Sequence, residues 1–210
     1  MRMLIPVSAL ALGTVLVVTP AAQSRSTQRP SDALEAPFIA GGQIVMDLSA
    51  GEYRISASPD NQIRLQWSVR RQSQLEGVEA YADVNGADAT IVLDGPTNDF
   101  RVTIEVPQRS DISIELSAGE LSIEDIVGNK DIRLNAGELR IDVGHPEDYG
   151  RVEASVWAGE LKATPFRIVK GGLFRSFDWR GAGEYRLRAH LKAGELDLYS
   201  GSNEVVSRSR

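Results

Sequence analysis

Six glutamates each stand directly after a glycine in copies of one short motif. They are Glu52 in LSAGEYRI, Glu120 in LSAGELSI, Glu138 in LNAGELRI, Glu160 in VWAGELKA, Glu184 in RGAGEYRL and Glu195 in LKAGELDL. Carboxylates repeated at matched positions collect negative charge along a surface, where a divalent cation or the hydroxyls of a glycan could be held. Two residues further on stand Arg54, Arg140, Lys162 and Arg186, with Ser122 and Asp197 in the remaining copies. On a strand, residues two apart share a face. Acid and base columns then run side by side and neutralise each other through cross-strand pairs of about 0.2–1 kcal/mol each. The plain reading is a solvated, self-compensated ladder. The sharper one is a cation or glycan site near Glu120 or Glu195, where the compensating base is absent.

Other chemistry is sparse. With no cysteine, a thiol nucleophile, a cysteine zinc site and disulfide staples are all excluded. The two histidines, His145 before a proline and His190 in an alternating stretch, sit in no metal-ligand or nucleophile–base spacing. They read as solvated loop and strand residues. Gly171-Gly172 lacks the following Lys-Ser of a phosphate loop and reads as a turn. The net charge of −6 comes with no basic stripe, which argues against nucleic acid. An aromatic cluster between Phe166 and Tyr185 is the second candidate. Phe174, Phe177 and Trp179 follow no single alternating face, and they fit either a cap over an open core end or a contact surface for a sugar or protein.

The elements that carry these residues are strands. In DISIELSAGELSI, Ile112, Ile114 and Leu116 share one face, while Ser113 and Glu115 share the other. Similar alternation runs through 63–67, 91–93, 101–106 and 152–156, with turn signals at Asn85-Gly86, Gly128-Asn129 and His145-Pro146. At each motif the apolar phase slips by one residue: Leu134 and Ala136 are even, Leu139 and Ile141 odd. A slip at glycine is the mark of a bulge or corner, after which the apolar face points inward again. Glycines 119, 137, 159 and 183 recur at roughly twenty-residue intervals, the spacing of solenoid coils. Gly77 and Gly95 stand where corners missing from the first gap would fall.

The chain opens with Arg2, an apolar run from Leu4 to Val18 and small residues to Ser24, the pattern of a cleaved secretory signal. The run is shorter than the roughly 18–20 residues of a spanning helix, and Pro6 interrupts it. Four segments are expected: signal peptide 1–24, flexible lead 25–38, strand-repeat domain 39–200 and polar tail 201–210.

Residues 100–141, FRVTIEVPQRSDISIELSAGELSIEDIVGNKDIRLNAGELRI, resemble the putative-adhesin family of bacterial β-strand-repeat proteins, in which strand, Val-Pro, turn, strand, small-Gly-acid and strand follow in this order. Family members carry Asp where this chain has Glu. The likeness runs over about residues 40–200 and brings no catalytic residues with it. The expected fold is all-β, a single-domain β-solenoid-like stack of short strands with glycine corners, a β-sandwich being the alternative. The expected function is a non-catalytic secreted or periplasmic cell-envelope interaction module, without cofactor or metal. Its partner would be an envelope protein or glycan, with no nucleic acid and no membrane span after signal cleavage. Two alternatives stand beside it, an envelope-stress accessory or scaffold protein and a polysaccharide-active solenoid enzyme.

Overall fold

A computed structural model describes residues 24–27 and 33–201 of the chain. Residues 1–23 of the expected signal peptide and the tail from residue 202 lie outside the described residues. The described chain is all-β: β1 (Ser24–Thr27), β2 (Ala33–Pro37), β3 (Gly42–Leu48), β4 (Gly51–Ser58), β5 (Gln62–Ser68), β6 (Glu79–Asn85) and β7 (Asp88–Asp94). There follow β8 (Arg101–Pro107), β9 (Ser110–Ile123), β10 (Lys130–Asp142), β11 (Tyr149–Ala163), β12 (Ile168–Arg180) and β13 (Tyr185–Tyr199). All belong to one 13-stranded sheet, ordered β1-β6-β7-β3-β9-β10-β13-β11-β12, with β4, β8, β5 and β2 branching from β9.

Alternation makes these strands, and the slip at glycine bends them. In β9, Ile112, Ile114 and Leu116 are buried before the bend, and Leu121 and Ile123 after it, so even positions give way to odd. The same change occurs in β10, from Ile132 and Leu134 to Leu139 and Ile141, and in β13, from Ala189 and Leu191 to Leu196 and Leu198. Both arms line one apolar interior. Burying each leucine or isoleucine contributes about 1.5–3 kcal/mol, and the parallel register repeats that contribution column by column.

The corners stack in register: Gly51 beside Gly119, then Gly137, Gly194 and Gly159. Gly137 has φ +133°, a conformation that side chains rarely adopt. A Cβ built there would fall on the carbonyl oxygen of Gly119, and one built on Gly194 would fall on the carbonyl of Gly137. Each corner thus fills the space that a side chain on the next would need.

Several expectations require correction. Gly183 lies in the turn after β12, against the Asp148–Tyr149 backbone, and joins no ladder. The reason is local: Arg180 stands where the true corners carry a buried Leu or Val. Gly172, read as a turn, is instead a corner within β12 and pairs with Gly159 in antiparallel register. Gly77 ends a short 3-10 helix, and Gly95 packs on the Phe100 ring, so neither forms a rung. The stretch expected as a flexible lead contains β1, paired with β6, and β2, paired with β5. In β2, Leu34 and Ala36 are buried. Pro37 is compatible with this edge position because no sheet partner needs its missing N–H.

Candidate functional site

The glutamates follow the glycines into register as a row Glu52–Glu120–Glu138–Glu195–Glu160 across β4, β9, β10, β13 and β11. Beside it runs Arg54–Ser122–Arg140–Asp197–Lys162. Glu184 and Arg186 belong to neither, because Glu184 lies in the turn before β13 and Arg186 stands at the start of that strand, opposite Arg151.

Charge compensation runs across strands as well as along them. Glu52 is held by Arg101 of β8 at 2.7 Å, and Glu138 lies 4.0 Å from Arg140. Lys162 approaches Glu160 at 3.5 Å and reaches over to Glu195 at 2.6 Å. The base that Glu195 lacks in its own strand is therefore supplied by the neighbouring one. Burial raises the pKa of the Asp197 carboxyl, against the pull of Arg140 and Lys162. Glu120 is the one member of the row without an ion pair among the described residues. No three histidine, aspartate or glutamate side chains among those residues gather as a metal site. Glu52, Glu120 and Glu138 of the row line an open polar cleft of about 790 Å³, together with Arg101, Arg140 and Trp67 among others.

The aromatic cluster divides in two. Phe166 stacks on Phe177 and Trp179 with ring centres 5.7 and 5.0 Å apart, and these rings, with Ile168, pack against the core. They cap its end. Phe174 goes the other way, 69% exposed, and meets the 57% exposed Trp157 edge to face at 5.6 Å. Its backbone has φ +54°, a strained conformation for a bulky residue. Leu173 and Val169 on the same strand are also exposed, and among the described residues β12 pairs only with β11, which leaves its other edge unpaired by them. Sequence reasoning found Phe174 but missed Trp157, which looks like one more corner residue in VWAGEL.

Two further polar contacts were not anticipated. His190 Nδ1 and Ser155 Oγ lie 2.6 Å apart on the outer face of β13 and β11, in an exposed pair. A serine–histidine contact is half of a nucleophile–base arrangement. Among the described residues no carboxylate is hydrogen-bonded to this histidine, and the row continues to Arg133 instead. His145 sits in a loop, 3.7 Å from Glu147. Lys130 is buried, only 2% exposed, at a position where the strands on either side place Ile112 and Leu187. Its Nζ donates to Tyr149 Oη at 2.7 Å and lies over that ring. Burial pushes the lysine down to about 8, while Asp142, Asp111 and Asp148 pull the other way. The same burial raises the Tyr149 hydroxyl well above its ordinary range. Its signal in the sequence is a lysine in the inward phase of an alternating strand.

No protein-family model matches the chain, and no curated protein matches it in sequence. Solved structures do. A putative cell adhesion protein from Clostridium sporogenes superposes with a TM-score of 0.50 at 13% identity, covering 84% of this chain and 98% of that one. A putative adhesin from Bacteroides fragilis aligns over 81% of this chain and 99% of its own at 10% identity, with a TM-score of 0.29. At that identity the first likeness establishes a shared all-β fold.

Proposed function

We propose that this chain is a non-catalytic, adhesin-like interaction module of the cell envelope, secreted or periplasmic, built as a β-solenoid-like stack rather than a sandwich. The observation that carries this reading is the free edge at β12. There Trp157, Leu173 and Phe174 stand in solvent beside a strand that has no partner on one side among the described residues. Apolar side chains grouped at one surface mark a contact site more often than single ones do. The fold likeness to a putative cell adhesion protein supports the same conclusion.

The test is export followed by binding. The chain, produced with its N-terminal segment, is expected outside the cytoplasm with a mature N-terminus between residues 22 and 25, and is expected to associate with isolated envelope fragments. Cytoplasmic retention with Met1 intact, together with no binding to those fragments, would overturn the reading. The cleft beside Glu120 favours one competing reading, a polysaccharide-active enzyme. Glycoside cleavage needs two carboxylates set across a bond. Here Glu52 and Glu138 are engaged by Arg101 and Arg140. Release of new reducing ends from envelope polysaccharide, lost in Glu120→Gln, would promote the enzyme.

A further inference from the structure

The β12 edge is basic as well as apolar. Arg167, Lys170, Arg175 and Arg180 lie on or just before β12, and Lys192 occupies the bend of β13, equivalent to Trp157 in β11. None of the five makes an ion pair among the described residues, whereas most basic side chains elsewhere in the sheet do, from Arg54 and Arg64 to Arg151 and Arg188. The one acid of β12, Asp178, is taken by Arg151 at 2.8 Å. Arg175 lies over Gly172, and its Nε is buried without an acceptor. A chain with a net charge of −6 therefore keeps Arg167, Lys170, Arg175 and Lys192 without ion pairs among the described residues, on and beside the strands that carry its most exposed aromatic pair, while Arg180 lies near Asp178 at the other end of β12.

We propose that this end docks on an anionic lipid surface. The inference rests on the interaction-module reading and names its partner. Trp157 and Phe174 enter the headgroup boundary, where an aromatic ring can shed water, and Leu173 follows. Arg175, Lys192 and their neighbours meet the phosphates. The positive φ of Phe174 turns its ring away from the core, where Phe177 and Trp179 already close the end. A second copy of the chain at the free β12 edge would satisfy the backbone but would bring two groups of unpaired cations together, so charge favours the anionic surface.

The experiment is co-sedimentation of the purified full chain with protein-free vesicles of phosphatidylcholine alone or mixed with phosphatidylglycerol. Binding is expected to the mixed vesicles and to weaken at high salt, because surface attraction is screened. The paired change Trp157→Ser with Phe174→Ser should reduce it about tenfold or more, since apolar insertion supplies part of the affinity. Arg175→Gln and Lys192→Gln should each reduce it about fivefold. Tryptophan emission should shift to the blue on binding, and that shift should vanish in Trp157→Phe. Trp157, Phe174 and Lys192 are exposed and Arg175 is half-buried, and unchanged melting temperatures would show that the variants remain folded. Equal binding to neutral and anionic vesicles, or none to either, would overturn the proposal. So would a dimer in solution that the same substitutions dissolve, which would assign the edge to a second copy. If envelope fragments are still bound while protein-free vesicles are not, the lipid assignment fails and the interaction-module reading stands.

Discussion

The middle of the ladder and its last strand use the same motif position under opposite conditions. At Gly137 the corner is enclosed by parallel neighbours on both sides, and the carbonyl of Gly119 occupies the place of a side chain. At Gly172 the neighbour is antiparallel and only on one side, and an added Cβ would meet the Arg175 guanidinium, a group that can swing away. Charge follows the same division. Apart from Glu120, the glutamates of the row are compensated along or across their strands, while at the end Arg167, Lys170 and Arg175 make no ion pair among the described residues. Repetition therefore makes a rigid interior, and the place where repetition stops is free to meet something else.

The largest expected effect tests that contrast directly. Gly137→Val should cost more than about 4 kcal/mol or prevent folding, since the branched side chain would need both a strained backbone and the room of a fixed carbonyl. Gly172→Ala should cost only about 1–2 kcal/mol, the strain of placing a side chain at positive φ. Chemical denaturation of the two variants would measure the difference, and equal losses would erase the distinction between middle and end.

Next in size is the buried lysine. Its folded pKa of about 8 lies below the ordinary 10.5, so the charged form is disfavoured in the fold. The unfolded chain binds the extra proton between those values, and stability from this group rises with pH through that window. Below about 8 the cost is fully present, on the order of 3 kcal/mol. Lys130→Met removes the titration. Its stability relative to the wild type should fall by about 2 kcal/mol from about pH 7 to pH 10, as the wild-type lysine sheds its proton. A difference independent of pH would show that Lys130 is charged at no cost.

The smallest effect belongs to the glutamate row. Glu138→Gln should shift stability by no more than about 1 kcal/mol, because an exposed pair 4.0 Å from Arg140 contributes little. Calcium should leave the melting temperature of the wild type unchanged. A calcium-dependent rise that disappears in Glu120→Gln would turn the one unpaired carboxylate into a binding site.

Strands, bends and the row of glutamates were legible because each depends on local periodicity: the slip from Leu134 to Leu139 is written in the chain itself. Neighbours were not legible. Every copy of the motif offers nearly the same edge to every other, so nothing local says that β13 lies between β10 and β11. The copy at Gly183 was misread because three residues matched, although the buried residue ahead of them had become Arg180. Gly172 was missed for the reverse reason, a corner without the surrounding Ala and Glu. Trp157 escaped notice because it was read as one more corner residue, although the same position is exposed in β9, β10 and β13 at Ser117, Asn135 and Lys192.

That placement of β13 sets an order on assembly. The strand that joins β10 to β11 follows both of them in the chain, so these two partners wait with unpaired edges until residues 185–199 have been made. A chain cut short before Tyr185 would hold two separate pieces of sheet with no rung between them. A joining strand that comes after both of its partners thus delays completion of the sheet until it has been made.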